Sequence, residues 1–184
     1  MAFQSSQTII GAREDGTPTG EYFSRLTGHS GEGKKHFAIS VFLINKKGEV
    51  LLQKRKHRIF DNLWDTTAST HQLHVGEQKN ETDEEATDRS LQVEYGISPG
   101  SIHYQNVGFI NYFAQYEGGF CENEHDIILV GKYDGEVHLN PEEGYECKWV
   151  EKLGFLKDIK ENPKFYTPWA IEAVKLLETK DFFK

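Results

Sequence analysis

The most constraining feature of the chain is an almost uninterrupted apolar segment at residues 37–44, Phe-Ala-Ile-Ser-Val-Phe-Leu-Ile. Its short length and its β-branched residues predict a strand, and its lack of apolar–polar alternation predicts that both faces of this strand are covered. Such a strand needs a layer of structure on either side. We therefore expect the centre of a β-sheet that is packed between helices.

The rest of the chain supplies strands and helices for these layers. A hairpin is predicted over residues 8–25, because a Gly- and Pro-containing turn separates two apolar stretches. A helix is predicted over about residues 82–95, because Thr82 and Glu85 can form a capping box and Gly96 follows the helix end. The expected fold class is α/β (α+β), a mixed β-sheet sandwiched between helices in a single domain over residues 1–184. Further strands are expected at 50–52, 63–71, 103–116, 120–133 and 146–151, and a last helix from Pro168.

Composition excludes several classes of partner. The 184 residues carry 21 Lys and Arg against 29 Asp and Glu, so the formal charge is −8. Binding to nucleic acid or to anionic membranes depends on a basic surface, so we expect neither partner. The chain has no apolar run of membrane-spanning length and no leader-like start, and its two cysteines suit a reducing compartment. A cytoplasmic protein is expected, either a monomer or a weak homodimer.

Two glutamates stand out as candidate metal ligands. Glu122 and Glu124 flank one residue of a predicted strand, so both carboxylates point to the same face. Like charges placed in this way need compensation unless the face is solvated. His29, His36 and His71 could complete a mixed nitrogen and oxygen shell for a first-row divalent ion. The alternatives are an exposed acidic strand face and ordinary surface or core histidines.

Motifs over residues 8–169 resemble a known family in order and in spacing. They are the Asp-Gly-Thr-Pro-Thr-Gly turn, the His29 and His36 pair, the segment Leu-Trp-Asp-Thr-Thr-Ala-Ser-Thr-His at 63–71, Glu-Asn-Glu at 122–124, and Pro168-Trp169. This set resembles the type I isopentenyl-diphosphate isomerases, a branch of the Nudix superfamily. The resemblance implies the Nudix fold and one divalent ion, usually manganese or zinc with magnesium also active. Its ligands in this sequence are implied to be His29, His36, His71, Glu122 and Glu124.

The predicted helix at 82–95 carries a reduced Nudix signature. Ser90 and Val93 stand where hydrolases of the superfamily place metal-binding glutamates, so the magnesium cluster that attacks pyrophosphates is incomplete. By resemblance, Glu94 is the candidate ligand of a magnesium ion that bridges the substrate diphosphate; the alternative is a surface glutamate. The signature positions that do match are Glu81, Arg89, Leu91, Glu94, Gly96 and Ile97.

The resemblance also implies catalytic roles. Glu124 and Tyr112 match the acid that protonates the alkene, and Trp169 matches the indole that stabilises the resulting cation; core packing is the alternative for this tryptophan. Ser69 stands where the family has a cysteine, and a serine hydroxyl is a far weaker acid that needs a partner base. Arg25, Arg55 and Lys56 are candidate diphosphate contacts, with solvated surface charge as the alternative.

These observations favour conversion of isopentenyl diphosphate to dimethylallyl diphosphate, with slow turnover as one expectation because of Ser69. The expected partner is a small-molecule diphosphate, with magnesium bound to it. One alternative is a Nudix-type hydrolase or related lyase that acts on another small diphosphate. A second is a non-catalytic diphosphate-binding protein, for which metal binding without turnover is expected.

Overall fold

The computed structural model of the protein describes residues 7–77 and 79–183. The strands are β1 (Thr8–Ala12), β2 (Pro18–Ser24), β3 (His36–Ile44), β4 (Glu49–Arg55), β5 (Trp64–Asp65), β6 (Ala68–Thr70), β7 (Tyr104–Tyr116), β8 (Phe120–Lys132) and β9 (Gly144–Glu151). The α-helices are α1 (Arg25–Gly28), α2 (Asp83–Tyr95), α3 (Lys152–Glu161) and α4 (Pro168–Thr179). Short 3₁₀ turns lie at Glu117–Gly119 and Pro163–Phe165.

The apolar segment at residues 37–44 lies in β3, the centre of a mixed sheet. β3 runs parallel to β8 along its whole length, from the pair His36 and Glu124 to the pair Ile44 and Lys132. It also pairs antiparallel with β1, β4 and β6. β7 and β9 extend the sheet beyond β8 and β4.

Helices cover both faces of β3, which explains its continuous hydrophobicity. Ile39, Val41 and Leu43 point to one face and pack in a cluster with residues of α2. Phe42 points to the other face and packs with residues of α3 and α4. The predicted sandwich of a mixed sheet between helices is therefore confirmed.

Helix α2 begins and ends where its sequence predicts. The Thr82 side chain accepts from the backbone N–H of Glu85 at 3.1 Å, and the Glu85 side chain accepts from the Thr82 N–H at 3.0 Å. Gly96 ends the helix with a left-handed φ of 69°. Caps of this kind typically contribute about 1 kcal/mol to stability.

The single strand predicted at 63–71 is wrong, because the segment changes partners in its middle. β5 pairs with β4, whereas β6 pairs with β3. At the break, the Thr67 hydroxyl donates to the Leu51 carbonyl at 2.6 Å and accepts from the Leu43 N–H at 2.9 Å. The side chain of Thr67 thus supplies bonds that a continuous strand would make through its backbone.

Two helices were not predicted, α1 and α3. Gly154 lies in the first turn of α3 and weakens the helical pattern, while Glu151 caps the helix by accepting from the N–H groups of Leu153 and Gly154. Among the described residues, none of the helices has the length and apolar character needed to cross a membrane.

Candidate metal centre and active site

Five potential metal ligands from distant parts of the chain meet at one end of the β3–β8 pair. One ligand atom from each lies within 4.8 Å of every other, and all five residues are buried. The residues are His29, His36, His71, Glu122 and Glu124. The structure therefore brings together the set that the sequence implied, and the alternative of an exposed acidic strand face is wrong.

Strand register and a close-packed loop position these ligands. His36 is the first residue of β3 and pairs directly with Glu124 of β8. The loop between His29 and His36 packs so closely that a Cβ atom on Gly33, whose φ is +65°, would lie 2.5 Å from Cys121 Sγ. Only glycine fits there at low cost, so this loop holds both histidines against β8.

The histidine rings have the orientation that a metal requires. The Nδ1 atoms of His29 and His36 lie 2.7 Å from the carbonyl oxygens of Arg25 and Lys34. These carbonyls accept from Nδ1–H, which leaves Nε2 of each ring with a lone pair for a cation.

Several ligand atoms lie close together without satisfying one another. His36 Nε2 and Glu122 Oε2 are buried and have no hydrogen-bond partner, although Glu122 Oε2 is 2.9 Å from His29 Nε2. His71 Nε2 lies 2.9 Å from Glu124 Oε1, and His36 Nε2 lies 3.3 Å from the same oxygen. Buried polar atoms that converge in this way fit a divalent cation, which would satisfy them together.

The electrostatic surroundings also suit a cation. Burial holds the pKa of His71 well below its ordinary value, so its imidazole is neutral and can act as a ligand. Burial alone would raise the pKa of Glu124, but the nearby imidazole of His36 and the hydrogen bond with His71 at 2.9 Å outweigh this and lower it, so that its carboxylate is ionised. The site thus holds the neutral imidazole of His71 beside the anionic carboxylate of Glu124. Burial disfavours a charged His29 as well, but the neighbouring Glu122 outweighs this and raises the pKa of His29.

Glu124 also bonds to the candidate tyrosine. Tyr112 is its cross-strand partner in the pairing of β7 with β8, and the Tyr112 hydroxyl donates to Glu124 Oε2. Burial and then the charge of Glu124 raise the pKa of Tyr112 well above its ordinary value, so the phenol keeps its proton. Tyr112 and Glu124 are therefore a donor–acceptor pair that can hold one proton in place.

Trp169 and Ser69 share a small cavity with this pair. The cavity has about 20 Å³ of free volume, which is room for about one water molecule. The Trp169 ring centroid lies 6.1 Å from that of Tyr112, and the Trp169 Nε1–H donates to Ser69 Oγ at 2.9 Å. The cavity is lined by Arg25, Ala38, Ile39, Ser40, Arg55, Ser69, Thr70, His71, Tyr112, Glu122, Glu124 and Trp169.

Of the three candidate diphosphate contacts, two line the cavity. Arg25 and Arg55 each have a buried Nε–H with no hydrogen-bond partner. Lys56 does not line it, because its Nζ donates to the Pro141 carbonyl at 2.7 Å and lies 6.0 Å from the Tyr145 ring.

Glu94 is buried, so the alternative of a surface glutamate is wrong. The Ser90 hydroxyl donates to Glu94 Oε1, and the Gln53 side-chain amide donates to Oε2 at 2.7 Å. Burial raises the pKa of Glu94 to about 7, although both hydrogen bonds oppose this. Its role as a magnesium ligand stays a prediction.

Sequence reasoning missed two buried acids beside the site. Asp65 accepts from Trp169 Nε1–H at 2.6 Å and from Arg55 Nη1–H at 3.0 Å. Asp126 lies two residues beyond Glu124 and accepts from the Ser40 hydroxyl at 2.8 Å. Its two-residue spacing from Glu124, which puts both carboxylates on one strand face, was the signal available for Asp126, whereas Asp65 bonds to residues too distant in sequence to be foreseen.

The fold and the sequence both place the chain in a known family. A family model for the NUDIX domain matches residues 34–170, so the chain belongs to the Nudix family. Two solved structures share the fold at low identity. A Deinococcus radiodurans protein has a TM-score of 0.67 at 16% identity and covers 91% of this chain and 97% of that one. A MutT protein from Methanosarcina mazei has a TM-score of 0.60 at 19% identity, and the match covers 80% of this chain and 95% of that one.

Curated relatives narrow the placement within that family. A protein of Aliivibrio fischeri is 32% identical over 172 residues, which are 89% of this chain and 91% of the relative. One of Nocardia farcinica is 32% identical over 154 residues, which are 82% and 83% of the two chains. Both carry the name isopentenyl-diphosphate Delta-isomerase. The chain is thus a member of the isopentenyl-diphosphate delta-isomerase family.

Proposed function

We propose that this protein is a metal-dependent isomerase that converts isopentenyl diphosphate to dimethylallyl diphosphate. One observation carries the proposal: the Tyr112–Glu124 pair, the indole of Trp169 and the hydroxyl of Ser69 line one cavity beside a buried group of metal ligands. Family membership supports the same conclusion, because relatives that match most of the chain carry the name of this isomerase.

The residues supply each requirement of the reaction. Moving the double bond needs a proton added to the terminal carbon, a tertiary cation stabilised, and a proton removed from the neighbouring carbon. Tyr112 and Glu124 are together the proposed proton donor: the Tyr112 hydroxyl carries the proton and donates to the ionised carboxylate of Glu124 inside the cavity. The face of Trp169 stabilises the cation, since indole is the strongest cation–π partner among side chains. Ser69, which also lines the cavity, is the residue proposed to take part in removal of the second proton.

A divalent ion, manganese, zinc or magnesium, would neutralise the charges of Glu122 and Glu124 and keep the ligand set compact. His29, His36, His71, Glu122 and Glu124 would hold it. The chain's own contribution is orientation: backbone carbonyls hold the imidazoles of His29 and His36 through their Nδ1 atoms, and a hydrogen bond aligns Glu124 with Tyr112.

Two arginines favour a diphosphate as the ligand of this cavity. Arg25 and Arg55 each present a buried Nε–H without a hydrogen-bond acceptor, and a diphosphate supplies anionic oxygens for both. Glu94, which accepts from the Gln53 amide two residues before Arg55 in β4, is the proposed ligand for magnesium carried by that diphosphate. Lys56 is not part of this proposal.

Incubation with isopentenyl diphosphate and a panel of nucleoside and prenyl diphosphates tests the function. Isomer formation is followed by NMR and phosphate release is measured in the same samples. Isomer without phosphate release is the expected result. Phosphate release from any member of the panel, without isomer, would establish the hydrolase alternative instead. Metal and diphosphate binding without either product would establish a non-catalytic binding protein.

A further inference from the structure

Asp65 lies behind the cavity and contacts three of the groups that line it. Its carboxylate accepts from Trp169 Nε1–H at 2.6 Å, from Arg55 Nη1–H at 3.0 Å and from the Ser69 hydroxyl at 3.3 Å. Asp65 is only 3% exposed and does not line the cavity itself. It therefore reaches a bound molecule only through these three neighbours.

The carboxylate is itself held from two sides. The Thr66 backbone N–H donates to Asp65 Oδ1 at 2.7 Å, and the Thr167 hydroxyl donates to the same oxygen at 3.0 Å. Thr167 is the N-cap residue of α4, so this bond ties the start of that helix to β5. The ion pair with Arg55 compensates the buried charge of Asp65.

We propose that Asp65 is a positioning residue, which fixes the indole of Trp169, the guanidinium of Arg55 and the hydroxyl of Ser69 in one geometry. This inference rests on the proposed isomerase function and assigns the carboxylate that prepares the site for it. A cation–π contact depends on where the ring face lies, and a buried diphosphate contact depends on where the guanidinium lies. Asp65 links the two, because both donors bond to the same side chain.

The bond to Trp169 has an electronic consequence as well. An N–H group that donates to a carboxylate makes a charge-assisted bond, which shifts electron density into the indole ring. A more electron-rich face attracts a cation more strongly. The carboxylate of Asp65 thus makes the face of the indole more attractive to a cation through a bond at the edge of the ring, without touching the substrate.

A double-mutant cycle separates this role from a purely structural one. Asp65→Asn keeps the shape of the side chain but removes its charge, and we expect kcat for isopentenyl diphosphate to fall about 10²-fold, as for other misplaced catalytic groups. In a Trp169→Phe background, which lacks the Nε1–H, the fall in kcat caused by the same substitution should be at least several-fold smaller. Equal losses in the two backgrounds would overturn the proposal, and so would an unchanged kcat in Asp65→Asn.

Asp158→Asn is the control, because it makes the same substitution away from the site. Asp158 is an exposed residue that accepts a side-chain hydrogen bond from the Tyr166 hydroxyl at 2.6 Å, and it does not line the cavity. The kcat of the Asp158→Asn variant should stay within about twofold of the wild-type value, because Asp158 is remote from the chemistry. If Asp65→Asn does not fold, Asp65→Glu keeps the charge for Arg55 and displaces the oxygens by one methylene, and it enters the same cycle.

A spectroscopic measurement distinguishes failure of this inference from failure of the proposed function. The indole N–H resonance of Trp169, assigned with Trp169→Phe, should shift upfield in Asp65→Asn and stay in place in Asp158→Asn. An unmoved resonance would overturn the Asp65 network whatever the substrate. If the resonance shifts as expected in Asp65→Asn but the wild-type protein does not isomerise isopentenyl diphosphate, the proposed function is overturned. The catalytic purpose given to Asp65 is then overturned with it.

Discussion

His36 and Glu124 are direct partners in the parallel pairing of β3 with β8, and His36 Nε2 lies 3.3 Å from Glu124 Oε1. The register of the two central strands thus sets the distance between two candidate metal ligands. We expect the purified protein to carry about one divalent ion per chain, since one cluster of this kind is present among the described residues.

Alanine substitutions test the metal centre directly. Glu122→Ala or His71→Ala should release most of the bound ion, because each removes one ligand and leaves a buried partner unpaired. His74→Ala is a suitable control, since His74 bonds to Asn80 and is not part of the ligand group. Metal content is measured by mass spectrometry of the dialysed protein. Unchanged content in both site variants would contradict the assignment.

Tyr112→Phe tests the proposed proton donor while keeping every metal ligand. The variant loses the hydroxyl that donates to Glu124, so kcat for isomerisation should fall by about 10²-fold or more, the usual contribution of a general acid–base group. Its metal content should not change. Tyr116→Phe, on the same strand and with the Tyr116 ring packed on Phe60, should keep nearly full activity. Equal activity of the two variants would argue against a role for Tyr112.

Substitutions at Trp169 distinguish cation stabilisation from packing. Trp169→Phe should retain more isomerase activity than Trp169→Leu, because a phenyl ring keeps part of the quadrupole and leucine keeps none. Both should fall below wild type, since each loses the Nε1–H bonds to Asp65 and Ser69. Initial rates at saturating substrate decide the order. Identical rates in the two variants would leave Trp169 with a packing role only.

Ser69→Cys tests the departure from the family's cysteine. If the cavity accepts isopentenyl diphosphate, a thiol can hold and release a proton near neutral pH, and isomerisation should rise while metal content stays the same. Acid–base groups typically contribute ~10²–10⁴-fold, so partial rescue is measurable. Ser98→Cys, at an exposed position, is the control. No gain would mean that the site is shaped for another diphosphate or that the thiol is dispensable; a normal wild-type rate identifies the second case.

Glu94 should make stability depend on pH. Its pKa is about 7 in the folded protein and near 4.5 when unfolded, so the folded state binds the extra proton between these values. The free energy of unfolding therefore falls as pH rises from about 4.5 to about 7, by about 3 kcal/mol at most. Glu94→Gln removes this loss. Urea unfolding of both proteins is measured at pH 5 and pH 8, without added magnesium. Between these pH values the free energy of unfolding of the variant should rise relative to that of the wild type. An equal change in the free energy of unfolding of both proteins would contradict the prediction.

The layers and the shared face of Glu122 and Glu124 could be predicted, because both follow from local pattern, whereas the complete set of candidate ligands was implied by the family resemblance. Strand alternation alone places Glu122 and Glu124 on one face, and the apolar run of β3 requires cover on both sides. The position of Lys56 could not be predicted in this way. It follows Arg55 directly, yet the chain leaves β4 there and the Lys56 side chain bonds to Pro141, a contact between segments that are distant in sequence.

The contacts of Asp65 could not be predicted either, because they also join segments that are distant in sequence. Its bonds to Thr167 and Trp169 join β5 to a helix near the other end of the chain, and no short-range pattern reports such a contact. The break between β5 and β6 could not be predicted for the same reason, because it depends on hydrogen bonds between the Thr67 hydroxyl and two other strands.

The free volume of about 20 Å³ between Arg25, Tyr112 and Trp169 has a thermodynamic consequence. A five-carbon diphosphate is much larger than one water molecule, so we expect the protein to bind it in conformations in which this space has widened. The apparent dissociation constant is then the intrinsic one divided by the population of widened molecules. Substitutions that loosen the packing around the cavity should therefore tighten apparent binding even as they remove contacts, and affinity alone is a poor guide to which residues touch the substrate.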